Sequence, residues 1–198
     1  AMADVLTRLF RRLGDEALPF YYQLKDDSDS DILAAVSTTS ADLRFLDVDM
    51  WAENLVELSN HELPVVRRNL VPSLREYFET FPDDTRKLLP VMWQDGDEVV
   101  RTRMRELLIK MSDISSTQFG ARITDLNQHG CDLSALWRLM DARRKGSSEA
   151  WKSWLSGEGE MPETIESIGH VSTMQAPEEL PDLSEALETV DEELGFLD

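Results

Sequence analysis

At 198 residues, 41% hydrophobic with five Trp, the chain can bury one sizeable core or a short stack of repeats, which excludes both disorder and a pair of large domains. The formal net charge of −19 is uneven, because residues 156–198 hold 13 acids and no Lys or Arg while residues 1–155 hold 26 acids and all 20 bases. A negative body repels phosphate backbones and disfavours direct nucleic-acid binding, and no apolar run approaches the ~18 residues of a membrane span. Cys131 is the single cysteine, so no internal disulfide can form. A lone thiol and the absence of a charged-then-apolar leader pattern predict a cytoplasmic protein, with a nuclear location left open. Fifteen Arg against five Lys also fit a salt-adapted source as one origin of the acidity.

Asp4 to Leu13 reads as an amphipathic helix, with Val5, Leu6, Leu9 and Phe10 on one face and Arg8, Arg11 and Arg12 opposite. The three arginines are either an anion-binding edge or a solvated face. Gly14 stops this helix, and a second begins near Asp15 with Leu18, Phe20, Tyr21, Tyr22 and Leu24. Lys25 to Asp31 is a loop; its alternating Asp residues lack the central Gly and distal Glu of a calcium loop. Ile32 to Val36 fits at least one helical turn, with a strand over Leu33–Thr39 as the alternative. Helical spacing returns at Leu46, Met50, Trp51, Leu55 and Leu58. After a polar turn, a further helix runs from about Pro64 to Phe81, burying Val65, Val66, Leu70, Leu74 and Phe78, with a kink expected at Pro72.

Leu88 to Leu108 is the most regular stretch. Leu88, Leu89, Met92 and Trp93 have helical spacing, as do Val99, Val100, Met104, Leu107 and Leu108. Between them Asp95-Gly96-Asp97-Glu98 forms a turn whose Gly can take positive φ and whose acids can cap the next helix. A shift of 34 positions lays Val65-Val66-Arg67 on Val99-Val100-Arg101, Leu70 on Met104, Leu74 on Leu108 and Leu58 on Met92. A helix ending in Leu-Leu-Pro, an Asp turn and a second helix opening with Val-Arg resembles a HEAT repeat over residues 46–113. The resemblance implies an α-solenoid in which Arg67 and Arg101 pair internally with the repeat's Asp. That Asp is present as Asp95, but His61 stands at the equivalent place one unit earlier.

Ser115–Ser116 can cap a helix with Phe119, Ile123 and Leu126 that ends at Gly130. Another opens at Cys131 or Asp132 and ends in Arg143-Arg144-Lys145-Gly146. The two are expected to form a third, degenerate hairpin closing the stack. Ser148 to Leu155 adds a short helix with Trp151 and Trp154, which sets the boundary between a helical-repeat domain (1–155) and an acidic tail (156–198). Residues 156–179 have linker composition. From Pro181 on, Asp182 and Glu185 resemble a capping box, and Leu183, Leu187, Val190 and Leu194 line one face of a short acidic amphipathic helix.

Catalytic signatures are absent from the sequence. His61, His129 and His170 lie apart, without HExxH, and there is no nucleophile elbow or phosphate loop. No cofactor, metal or enzymatic activity is expected. The fold class read from the sequence is all-α, a short right-handed stack of HEAT-like antiparallel hairpins with an acidic tail. Its expected function is a non-catalytic adaptor that binds another protein. Arg68, Arg75 and Arg103 are candidate residues of a partner-binding ridge, with a solvated face as the alternative. Leu183, Leu187, Val190 and Leu194 are candidates for docking the tail on the body or on a second chain. The alternative function is an acidic nucleic-acid mimic or chaperone for basic proteins.

Overall fold

A computed structural model of the chain describes residues 2–143 and 147–163. Among them every element is helical. The order is α1 (Met2–Leu13), a 3-10 turn (Gly14–Ala17), α2 (Leu18–Lys25), α3 (Ser30–Thr39), a second 3-10 turn (Ser40–Phe45) and α4 (Val48–Ser59). Then come α5 (Pro64–Thr80), α6 (Pro82–Trp93), α7 (Glu98–Ile114), α8 (Ser116–Gln128), α9 (Ser134–Arg143) and α10 (Ser147–Leu155). Leu183, Leu187, Val190 and Leu194 lie outside the described residues, as does the helix expected there.

Side-chain caps set several of these starts. Asp29 accepts from the amides of Asp31 and Ile32, so the acids of the 25–31 loop launch α3 and the strand alternative at 33–39 falls. Asp47 caps α4 through the Met50 amide, Asp97 caps α7 through Val99 and Val100, and Ser115 caps α8 through Gln118.

The 34-residue period holds in the folded chain. Moved by 34, α4 coincides with α6 and α5 with α7, each pair matching in length at 12 and 17 residues. The matched apolar residues Leu58/Met92, Val66/Val100, Leu70/Met104 and Leu74/Leu108 are all buried. The local polar contacts match as well: Arg67 donates from Nη1 to the carbonyl of His61, and Arg101 from Nη1 to that of Asp95, six residues back in each case. Helices α3, α5 and α7 pack side by side as one row, with α4, α6 and α8 as a second row behind. One continuous core joins the rows and includes Trp51, whose ring meets Tyr77 edge-on at 6.1 Å between centroids. This helix-on-helix packing is compatible with a helical repeat.

Two expectations are corrected. Helices α8 and α9 do not form a third hairpin in the manner of the first two: α8 packs on α6 and α7, while α9 packs on α7 and α10. The chain then returns across α8, where the Trp151 ring meets Phe119 edge-on at 4.7 Å. A Cβ at Gly120 would sit 3.1 Å from both the Trp154 ring and the Met161 methyl, so any larger residue would require these two side chains to give by a few tenths of an ångström. Gly96, in contrast, does not use the left-handed conformation, and a Cβ there would touch nothing. Its turn is held instead by Asp95, whose Oδ1 accepts the Asp97 amide at 2.8 Å.

Arg67 joins the two units. Its Nε and Nη2 donate to Asp95 Oδ2 and Oδ1 at 2.7 and 2.9 Å, and both side chains are largely covered. Burial pushes the Asp95 carboxyl up, but the Arg67 guanidinium and the Asp97 amide outweigh it and leave the group below its ordinary value.

Two outcomes follow from the turn. Gly96→Ala should leave the fold intact and raise stability by up to about 1 kcal/mol, because it restricts only the unfolded chain; a denaturant titration reads this, and a loss above about 1 kcal/mol would contradict the Asp95-held turn. Because the folded state binds the Asp95 proton less tightly than the unfolded chain, its contribution is full above about pH 4 and fades as acid protonates the folded state. Asp95→Asn should therefore flatten the fall of melting temperature between about pH 5 and 2, relative to the native chain.

Candidate interaction surface

The row α3–α5–α7 presents its outer face along α5. Pro72 stands at the centre of that face and lines a groove on either side of it. One groove, about 450 Å³, lies between α5 and the 3-10 turn Ser40–Phe45 and includes Asn69, Arg75 and Glu79. The other, about 220 Å³, lies between α5 and α7 and includes Val71, Arg103, Glu106 and Lys110. The 3-10 turn ends in Phe45, which is 72% exposed at the rim of the first groove, beside exposed Val48. Arg44 lays its guanidinium over the Phe45 ring at 4.4 Å from the centroid while ion-pairing with Glu76 of α5.

The three arginines read from the sequence as a ridge are placed on this face, each with a partner. Arg68 donates to Asp97 from Nε at 2.8 Å and from Nη2, a two-pronged pair that holds the Asp97 carboxyl far below the usual carboxylate range. Arg75 reaches Glu79 one turn on at 3.2 Å. Arg103 donates from Nη1 to the main-chain carbonyl of Arg68 at 2.7 Å. That carbonyl lies four residues before Pro72, whose ring nitrogen has no hydrogen to offer it. Arg103 therefore supplies from α7 the donor that Pro72 removes from α5, and the helix runs on unbroken from Pro64 to Thr80.

Charge on this face is mixed. Arg44, Arg75, Arg103 and Lys110 are interspersed with Asp42, Glu76, Glu79 and Glu106. The four bases and four acids balance, so the face carries no large patch of one sign, and the exposed Phe45 ring stands among them. A further groove of about 370 Å³ on the opposite row carries exposed Val56 and Val91 over Leu88.

Elsewhere, polar groups serve the fold. Cys131 is buried, its thiol pushed up by burial, with Gln94 Nε2 donating to Sγ at 3.3 Å. His61 Nδ1 accepts the Leu63 amide at 3.1 Å, and His129 Nδ1 contacts the Asp125 carbonyl at 2.8 Å. Among the described residues no group of three or more His, Cys, Asp or Glu is placed to hold a metal ion. No helix among them is long and apolar enough to cross a membrane. His170 lies outside the described residues. Comparisons with protein-family models, with curated proteins and with solved structures find no match for the chain.

Sequence reading alone missed Phe45 and the Arg103 link. Arg44-Phe45 carried one usable signal, an aromatic outside every helical stripe. The link follows from Pro72 only once α7 is known to lie alongside α5.

Arg103→Ala should cost about 1–2 kcal/mol in a denaturant titration, because a main-chain carbonyl loses a charged donor. In a Pro72→Ala background the restored amide serves that carbonyl, and the same change should cost less than about 0.5 kcal/mol. Equal costs in both backgrounds would remove the compensation.

Proposed function

We propose that this protein is a non-catalytic protein–protein adaptor, built as a short α-solenoid of HEAT-like hairpins. The α3–α5–α7 face grips one partner, and the acidic segment 156–198 serves as a second docking or self-covering element. The solenoid reading is supported by the residue-for-residue coincidence of α4–α5 with α6–α7 after a shift of 34. The observation that carries the binding reading is Phe45: a 72%-exposed aromatic, propped by Arg44 beside a groove, has the make-up of an interface anchor. Of the candidate ridge, Arg75 borders the Phe45 groove and Arg103 the groove between α5 and α7. Arg68 lies beside them, its guanidinium held by Asp97.

The test is quantitative affinity purification with the full chain from its native cell, comparing the native protein with Phe45→Ser. Loss of the α3–α5–α7 partner by at least about tenfold, with an unchanged melting temperature, is the expected result. Retention of every partner would remove this face from the account. Binding that is indifferent to Phe45 but collapses between about 0.1 and 0.5 M salt would favour the acidic mimic of nucleic acid in its place.

A further inference from the structure

Every arginine among the described residues has an acid or a main-chain carbonyl as partner, except three. The three are Arg8, Arg11 and Arg12, all exposed on α1. Their spacing of i, i+3 and i+4 puts them on one face, with neighbouring Cβ atoms about 5–6 Å apart. The negative end of the helix dipole favours Arg11 and Arg12 in the last turn, but Arg8 lies before it. Val5, expected on the apolar face with Leu6 and Phe10, is instead 55% exposed; three residues before Arg8, it adds an apolar contact beside the arginines.

In a chain of net charge −19, an unpartnered triad of this kind selects its ligand by size. Residues 1–50 carry ten acids against five bases, so a nucleic-acid strand or an anionic bilayer, extending past the triad, meets repulsion around it. A short carboxylate cluster does not. Acids at i, i+3 and i+4 of a helix reproduce the spacing of the arginines, and each guanidinium can take a carboxylate in a two-pronged pair. We propose that the Arg8–Arg11–Arg12 face of α1 is a docking site for an acidic helical segment of a partner protein. It does not depend on the Phe45 surface, and either can fail without the other.

The test measures fluorescence anisotropy of a fluorescein-labelled helical peptide of about 20 residues, with Glu at i, i+3 and i+4 and Ala between, titrated with the full chain. Binding is expected to weaken at least about tenfold in Arg8→Gln/Arg11→Gln/Arg12→Gln, and similarly on raising salt to about 0.5 M. The melting temperature should be unchanged, and a peptide with Gln in place of Glu should not bind. Arg8→Gln alone should show a smaller loss in the same direction, which keeps the test open should the triple variant fail to fold. Equal binding by the triple variant and the native chain, or no binding by the native chain, would overturn the proposal. Tighter binding of duplex DNA or of phosphatidylserine vesicles would overturn it too. Peptide binding that emerges only after Glu185, Glu188 and Glu192 are changed to Gln would reassign the triad to the chain's own acidic segment.

Discussion

The two-pronged pair between Arg67 and Asp95 ties one helical unit to the next. A carboxylate that is almost fully covered, at 6% side-chain exposure, is tolerable only with a charged partner and saturated oxygens. Asp95 has both: two donors from Arg67 and the Asp97 amide. Its own carbonyl accepts from Arg101, and Asp97 takes Arg68, whose carbonyl takes Arg103. The polar seam between α5 and α7 is thus one connected network, and networks of this kind are worth more than their separate bonds. Beneath it, Val66, Leu70 and Leu74 of α5 are buried like Val100, Met104 and Leu108 of α7, so charge sets the register of the packing that apolar burial drives.

The same network explains where the repeat departs from its own pattern. His61 occupies the place of Asp95 one unit earlier, and its Nδ1 accepts the Leu63 amide as Asp95 Oδ1 accepts the Asp97 amide. The turn is preserved by a different acceptor. The interunit rung is not needed there, because the residue 34 before Arg67 is Leu33 and has no charge to neutralise. His129 stands 34 positions after Asp95, and Arg101 turns to Glu98 within its own helix. The rung is confined to the junction where both partners occur.

Much of this was legible in the sequence, and the failures have physical reasons. Apolar spacing and the shift of 34 located α4 to α7, because those helices bury one stripe each and share turns of equal length. The helix at 30–39 was ambiguous, since Ser and Thr crowd its end; Thr38 and Thr39 hydroxyls fold back onto carbonyls of Ala34 and Ala35 and Val36, a local contact no periodicity records. The third hairpin is not formed because α9 packs on α10 and α7 rather than on α8, a choice set by tertiary packing that no local spacing records. Gly96 suggested a left-handed turn, yet Asp95 supplies that turn through its side chain. For the candidate interaction surface, the sequence pointed to arginines, while the folded chain engages Arg68 and Arg103 in holding α5 and α7 together and leaves Phe45 exposed.

The two helix rows carry grooves on their outer faces, with Phe45 exposed at the rim of one, and among the described residues no group of three or more His, Cys, Asp or Glu is placed to hold a metal ion. Arg67 and Asp95 act as a single unit across the α5–α7 junction. A double-mutant cycle of Arg67→Ala and Asp95→Ala, read by denaturant unfolding of the full chain, measures that directly. A coupling of about 1.5–3 kcal/mol is predicted for a largely covered, two-pronged pair. A coupling below about 0.5 kcal/mol would mean that the units are joined by apolar packing alone, and that charge does not set their register.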